Sequence, residues 1–300
     1  MALAHDVALT PDDSLWRAWN WDLLTLVPLV LLSWLYARGV RHLWRRLGRR
    51  VIQPWRVTCF AGGCATLFIA VISPFHELAH ALFWVHMIQH MLIMGIVAPL
   101  LVLGRPPIAL LWALSPRARL RAGAWTRATG LQASWRLLTG PSAAWTIHLL
   151  VLWGWHAPLL YDAAMRSPTL HWFEHTTMLA AAYIYWHALI AGSAVRAWGY
   201  GAGALASLGT LTHAGMLGAL LTFAPVPLYE SHVASAAAWG LTPLEDQQLA
   251  GLVMWVPACM VYLVAGLLFI GFALRDLERR HTPRQQAAWP QRPTSPQRNE

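Results

Sequence analysis

The sequence predicts an all-α integral membrane bundle of seven transmembrane helices, with the N-terminus outside and the C-terminus cytoplasmic. Three observations predict it. The chain has 300 residues, of which 57% are hydrophobic and only 12% charged, against about 25% charged in a typical soluble domain. Seven apolar segments recur, at roughly 21–37, 57–73, 82–103, 143–160, 170–190, 204–224 and 249–273. Each approaches the ~20 helical residues that cross a hydrocarbon core of about 30 Å. The basic residues, finally, are all arginine, 22 of them, and they alternate in density between successive loops.

Taken in order, the elements fix an orientation. The N-terminus, MALAHDVALTPDDSLWRAW, has neither a basic n-region nor a short apolar core before a cleavage site, so no removable signal peptide is expected. With the N-terminus outside, loop 38–56 places seven arginines inside, loop 104–142 six, loop 191–203 one and the tail from 274 six. Only Arg17 and Arg166 remain outside, which is a strong positive-inside pattern. The net charge of +9 is therefore a matter of topology, and no nucleic-acid partner is expected. The fourth segment is the weakest, because His148 and His156 interrupt it. Loop 104–142, with its Pro-Pro, Ser-Pro and PRARLRAGAW stretches, predicts an amphipathic helix lying at the interface. Residues 1–20 read as an outer tail, 21–275 as the membrane domain and 276–300 as a disordered cytoplasmic tail rich in proline, glutamine and arginine. No internal repeat, phosphate loop or soluble catalytic domain is visible. Cys59, Cys64 and Cys259 form no C-x-x-C pair and read as buried small residues.

The fourteen histidines are unevenly placed on this topology. His76 and His80 fall in the outer loop before the third helix. His86 and His90 occupy that helix's outer half, His156 the outer end of the fourth, and His171 and His175 the outer end of the fifth. At 100° per residue, His86, His90, Met87, Met91 and Met94 share a face about 140° wide, while His171, Glu174, His175 and Met178 share one about 100° wide. Histidines within a membrane are costly and face an interior or a cavity. Two such faces turned together could present imidazoles, a carboxylate and thioethers. Imidazole suits copper, zinc and iron, and thioether favours Cu(I), so the mixture leans toward copper. The competing reading has these histidines hydrogen-bonded to one another and to interfacial groups. His156, between tryptophans, fits either a ligand or an aromatic-belt role. His213 has suitable depth but no partner in sequence. His148 and His187 lie deeper and read as structural, and His5, His42 and His281 receive no role.

His76-Glu77-Leu78-Ala79-His80 is an H-E-x-x-H string of the kind that binds zinc in metalloproteases. It lies before the span, directly after Ser73-Pro74, and no acidic motif elsewhere offers a third ligand. A peptidase is therefore not expected. At the start of the last segment, Asp246 can cap its own helix, and Gln247 and Gln248 are polar groups at the membrane surface. A second-shell role toward the histidines is the alternative.

HMIQHMLIMGIVAPLLVLGRP (86–106) resembles the central signature of the CtaG family, cytochrome c oxidase assembly factors of bacterial membranes. WHAPLLYDAA (155–164), HWFEH (171–175) and DQQLAGLVMW (246–255) match in order, and PLYE (227–230) is similar to the family's outer loop before the last span. The resemblance covers roughly residues 20–275. It implies a multi-pass protein of the bacterial cell (inner) membrane that assembles cytochrome c oxidase, with a part in forming its copper B centre. It carries over to His86, Gln89 and His90; to His156; to His171, Glu174 and His175; and to Asp246, Gln247 and Gln248. HELAH is not part of that signature, which leaves His76 and His80 as candidate metal-capturing residues in the loop. Some relatives are linked to copper resistance or transport.

Together these readings lead to an outward-facing His/Met site for copper as Cu(I). Its expected ligands are His86, His90, His171, His175, His156, Met87, Met94 and Glu174, supported by Gln89, Asp246 and Gln247. The expected partners are the oxidase subunit carrying the copper B site, an extracytoplasmic (periplasmic) copper donor and the lipid bilayer. No enzymatic activity is expected. A haem-binding or electron-transfer membrane protein and a metal-free assembly scaffold are the alternatives.

Overall fold

Proline punctuates this chain, and the helices follow it. Among the described residues, eight helices have proline as their first residue, where the missing N–H removes nothing and the fixed φ suits a helix. The computed structural model describes residues 9–191 and 193–288, and among them there is no strand. His5 lies outside the described residues.

The helices are α1 (Leu23–Leu47), α2 (Pro54–Val71), α3 (Pro74–Ala81), α4 (Phe83–Met91), α5 (Ala98–Gly104), α6 (Pro106–Ala113), α7 (Pro116–Ala128), α8 (Leu131–Leu138), α9 (Pro141–Trp155), α10 (Pro158–Arg166), α11 (Pro168–Ile190), α12 (Ser193–Phe223), α13 (Val233–Ala238), α14 (Pro243–Val253) and α15 (Cys259–Ala288). α4 passes into α5 through a π-helical turn at Leu92–Val97, and α14 into α15 through another at Met254–Ala258. Proline accounts for both: Pro99 and Pro257 each lack an N–H and crowd the carbonyl four residues back, so the ladder takes up an extra residue.

Among the described residues, five helical stretches are long and apolar enough to cross a membrane: Leu23–Arg50, Pro54–Val71, Phe83–Gly104, Gly199–Phe223 and Pro243–Arg279. A sixth is added if α8 and α9, bent by 74°, count as one. α11 is 23 residues long, but His171, Glu174, His175 and His187 interrupt its apolar run. Large apolar side chains project outward from α1, α12 and α15, among them Leu24, Val30, Leu205, Leu220, Val264 and Leu267. Polar side chains lie inside, including His86, Gln89, His148, Glu174 and Asp246. Apolar outside and polar within is the arrangement of a chain whose solvent is lipid.

The core joins Met87 and Phe83 of α4, Met178, Tyr185 and Trp186 of α11, Leu217 of α12 and Tyr262 of α15. Small residues bring helices together. On α14, a Cβ at Gly251 would lie 2.6 Å from the Gly218 carbonyl oxygen of α12, and on α1 a Cβ at Gly39 would overlap the Ala109 carbonyl oxygen of α6.

Three sequence expectations change here. HELAH is not loop: Ser73 accepts the Phe75 N–H, and residues 74–81 form α3. α15 runs on to Ala288, past the start of the expected tail at 276, and residues 289–300 lie outside the described residues. The expected interfacial helix in loop 104–142 is three short helices, α6, α7 and α8, the last two with no buried residue.

Candidate metal centre

Three helices and a capping carboxylate build the centre. The chain breaks at Leu82, which is extended (φ −129°, ψ 124°), so α3 and α4 meet at an angle instead of continuing. The first turn of α4 needs acceptors for its free N–H groups. Asp246, fully buried on α14, supplies them: its carboxylate accepts the Phe83 and Trp84 N–H groups at 2.9 and 3.0 Å. This corrects the expectation that Asp246 caps its own helix. That helix is capped by Thr242, in a capping box with Glu245.

α4 then carries His86 and His90 against the N-terminal half of α11. His86, His171, Glu174 and His175 each offer a ligand atom, all within 4.8 Å of one another. The His86–His171, His86–His175 and His171–His175 ring centroids are 5.3, 5.7 and 4.3 Å apart. His90 borders the group, with Nε2 3.6 Å from a Glu174 oxygen, and His86 Nε2 is 3.9 Å from the other. These separations are too long for hydrogen bonds. Among the described residues, both Glu174 oxygens and both nitrogens of His86 and His90 are buried without a hydrogen-bond partner, as are Nε2 of His171 and His175. Buried polar groups are normally satisfied, and a buried carboxylate most of all. A cation bound among these atoms would satisfy them together, so the residues present fit a metal.

The expected ligands do not all meet at one point. Met87 and Met94 instead line a separate cavity of about 40 Å³ behind His90, together with His156, Met91 and Met254. His156 Nδ1 donates to the Leu152 carbonyl at 2.6 Å, and its Nε2 faces the Met87 sulfur at 3.3 Å. The π-helical turn after Met91 shifts the phase of the helix, which separates Met94 from the face of His86.

The supporting residues act at several points. Gln89 donates to the Ala70 carbonyl at 2.6 Å and touches His76 Nδ1 at 3.0 Å. Gln247 does not reach the histidines through its hydrogen bonds. It accepts the Leu228 N–H at 2.6 Å and donates toward the Leu221 carbonyl, which fixes the PLYE loop. Asp162, in the WHAPLLYDAA stretch, holds the same loop by accepting the Ser231 N–H at 3.1 Å and the Ser231 hydroxyl. His213 and His148 lie together, ring centroids 6.0 Å apart, with His148 Nε2 bonded to the Tyr262 hydroxyl.

Sequence reasoning missed two features. The first is the third imidazole for HELAH: His76, His80 and His171 offer ligand atoms within 4.8 Å of one another. The second is His232, whose Nε2 pairs with the Tyr161 hydroxyl at 2.8 Å and whose ring stacks on Phe83. Burial pushes His232 down to about 4, with the nearby His80 adding to the shift. Its place directly after PLYE-Ser was the available signal. A cavity of about 920 Å³ opens onto His76, His80, His171 and His175, with Asp22, Glu77 and Glu230 among its walls.

No curated protein and no solved structure matches the chain. A family model described as cytochrome c oxidase caa3 assembly factor (Caa3_CtaG) matches residues 34–275. That match spans α4, α11 and α14 and every residue of the buried centre. The chain belongs to this family of cytochrome c oxidase caa3 assembly factors.

Proposed function

We propose that this assembly factor carries copper as Cu(I) and delivers it to the copper B centre of the oxidase. The observation that carries the reading is Glu174: a fully buried carboxylate, ringed by His86, His90, His171 and His175, with no hydrogen bond of its own among the described residues. An uncompensated charge there would be costly, and a copper ion supplies the compensation. Imidazoles packed at centroid distances of 4.3 to 5.7 Å leave room for an ion and favour it over a porphyrin slotted between them. The thioethers of Met87 and Met94, one step behind His90, suit the reduced state of copper.

The topology belongs to the same reading. Seven crossings, with α9 and α11 among them, place the N-terminus outside and the arginine-rich loops and C-terminus in the cytoplasm of a bacterial cell (inner) membrane. The large cavity and the centre then face the outer compartment, where a periplasmic or other extracytoplasmic donor supplies copper and the partner oxidase subunit receives it. The role is that of a carrier, not a catalyst. Few ligands and an open approach allow release, which a closed structural site does not.

The test is complementation of a cell lacking this chain, read by oxidase copper content. Wild type restores a copper-complete oxidase. His86→Ala, His175→Ala, present in the membrane at wild-type level, leaves the oxidase subunit without copper B. Full copper content with that variant would overturn the carrier reading in favour of a metal-free scaffold.

A further inference from the structure

We propose that His76, His80 and His171 form a second copper site on the floor of the large cavity, where the ion binds before it reaches the buried centre. The proposal rests on the copper reading above and extends it to a different set of ligands.

The geometry comes from two helices. Ser73 and Pro74 start α3, and the i, i+4 spacing then stacks His76 and His80 on one face, ring centroids 4.9 Å apart. α11 brings His171 to 4.5 Å from His80 and 5.4 Å from His76. One ligand atom of each lies within 4.8 Å of the others. Gln89, anchored on the Ala70 carbonyl, touches His76 Nδ1 at 3.0 Å and so fixes that ring's orientation, the usual arrangement around a metal-bound imidazole. Three imidazoles leave a coordination position open, as in sites that exchange a ligand. The opening is the 920 Å³ cavity, whose lining carries the carboxylates of Asp22, Glu77 and Glu230 and the guanidinium of Arg166. Acids outnumber the base in that lining, and a cleft of net negative charge concentrates a cation.

His171 belongs to both groups of ligands. Its ring is 4.5 Å from that of His80 on the cavity side and 4.3 Å from that of His175 on the buried side. An ion can therefore change sites by exchanging the other ligands around one retained imidazole, without crossing an apolar layer. The H-E-x-x-H string, which the buried centre leaves unused, acquires a role as a capture site with no hydrolytic step.

The experiment loads detergent-purified protein with Cu(I) under reducing conditions. A variant disabled at the buried centre, Glu174→Gln with His86→Leu, should keep one copper. Adding His80→Leu to it should remove that copper. His80→Leu alone should fill the buried centre to the wild-type level at equilibrium, but load roughly tenfold or more slowly. Monodisperse elution and unchanged helical circular dichroism establish that each variant is folded. Copper absent from the first variant, or retained after His80→Leu is added, overturns the capture site and leaves the carrier reading intact. Wild-type protein that takes up no copper overturns both.

Discussion

Asp246 and Phe83 are 163 residues apart in the chain and joined by one hydrogen bond of 2.9 Å. The Asp246 carboxylate takes the first N–H of α4, and a second bond to Trp84 completes the cap. A carboxylate at a helix N-terminus is favoured by the dipole and supplies missing acceptors. The helix so fixed is the one that carries His86 and His90. Asp246→Ala should therefore loosen the centre as well as the fold. The expected loss is about 1–2 kcal/mol of stability, read by thermal unfolding in detergent. Copper affinity should weaken with it, and Asp246→Asn should lose less of both because one acceptor oxygen remains. An Asp246→Ala protein with wild-type stability would show that the cap is dispensable.

Glu174→Gln should separate the two roles of the buried carboxylate. In the metal-free protein it replaces a buried carboxyl group that has no hydrogen bond among the described residues with an amide of the same shape, so the variant should unfold at a temperature equal to or above that of wild type. With Cu(I) present the order should reverse, because wild type gains more from the ion. Thermal scans with and without Cu(I) check this. A metal-free variant clearly less stable than wild type would mean that Glu174 is held by protein contacts alone.

The all-helical, membrane-type fold was legible because its signals are local. Apolar runs and i, i+4 spacing put His86 with His90, and His171 with Glu174 and His175, on faces that the structure turns together. What escaped depends on contacts distant in sequence. The cap from Asp246 to α4 joins elements 163 residues apart, and nothing near Asp246 points away from its own helix. HELAH looked like loop because it is short and precedes an apolar run. The extended residue Leu82 is what lets α3 stand beside α4 and deliver His76 and His80 to His171. The division between the imidazole centre and the methionine cavity was hidden by the π-helical turn at Leu92–Val97, which breaks the 100° phase used to align Met94 with His86. Pro99 was its sequence mark.

Acidification should destabilise the segment around His232, between α12 and α13. His232 is held down to about 4 by burial, against about 6.5 in an unfolded chain. A histidine whose folded value is lowered binds its proton mainly when unfolded, so stability is full above pH 6.5 and falls as pH drops toward 4. The loss from this residue should reach up to about 3 kcal/mol at pH 4. His232→Gln should flatten the pH dependence of thermal unfolding over that window. An unchanged profile would assign it to other groups.

Gly251 tests the close contact of α14 with α12. A side chain there meets the Gly218 carbonyl oxygen and the Thr222 backbone nitrogen at 2.6 Å, and neither can move without shifting a helix. Gly251→Val should cost about 1–3 kcal/mol in thermal unfolding. It should also displace Asp246 from α4, visible as weaker copper binding, although residue 251 touches no ligand. A variant that unfolds and binds copper as wild type does would show that the helices separate freely.

The most direct measurement is the copper content of detergent-purified protein loaded with Cu(I) under reducing conditions and dialysed, wild type against His86→Ala, His171→Ala. The double variant removes a donor from the buried centre and the donor that the two groups share. One copper per chain at the buried centre and one at the cavity site in wild type, both lost in a folded double variant, is the predicted result. Folded wild-type protein without copper, or a double variant that keeps it, would contradict the account.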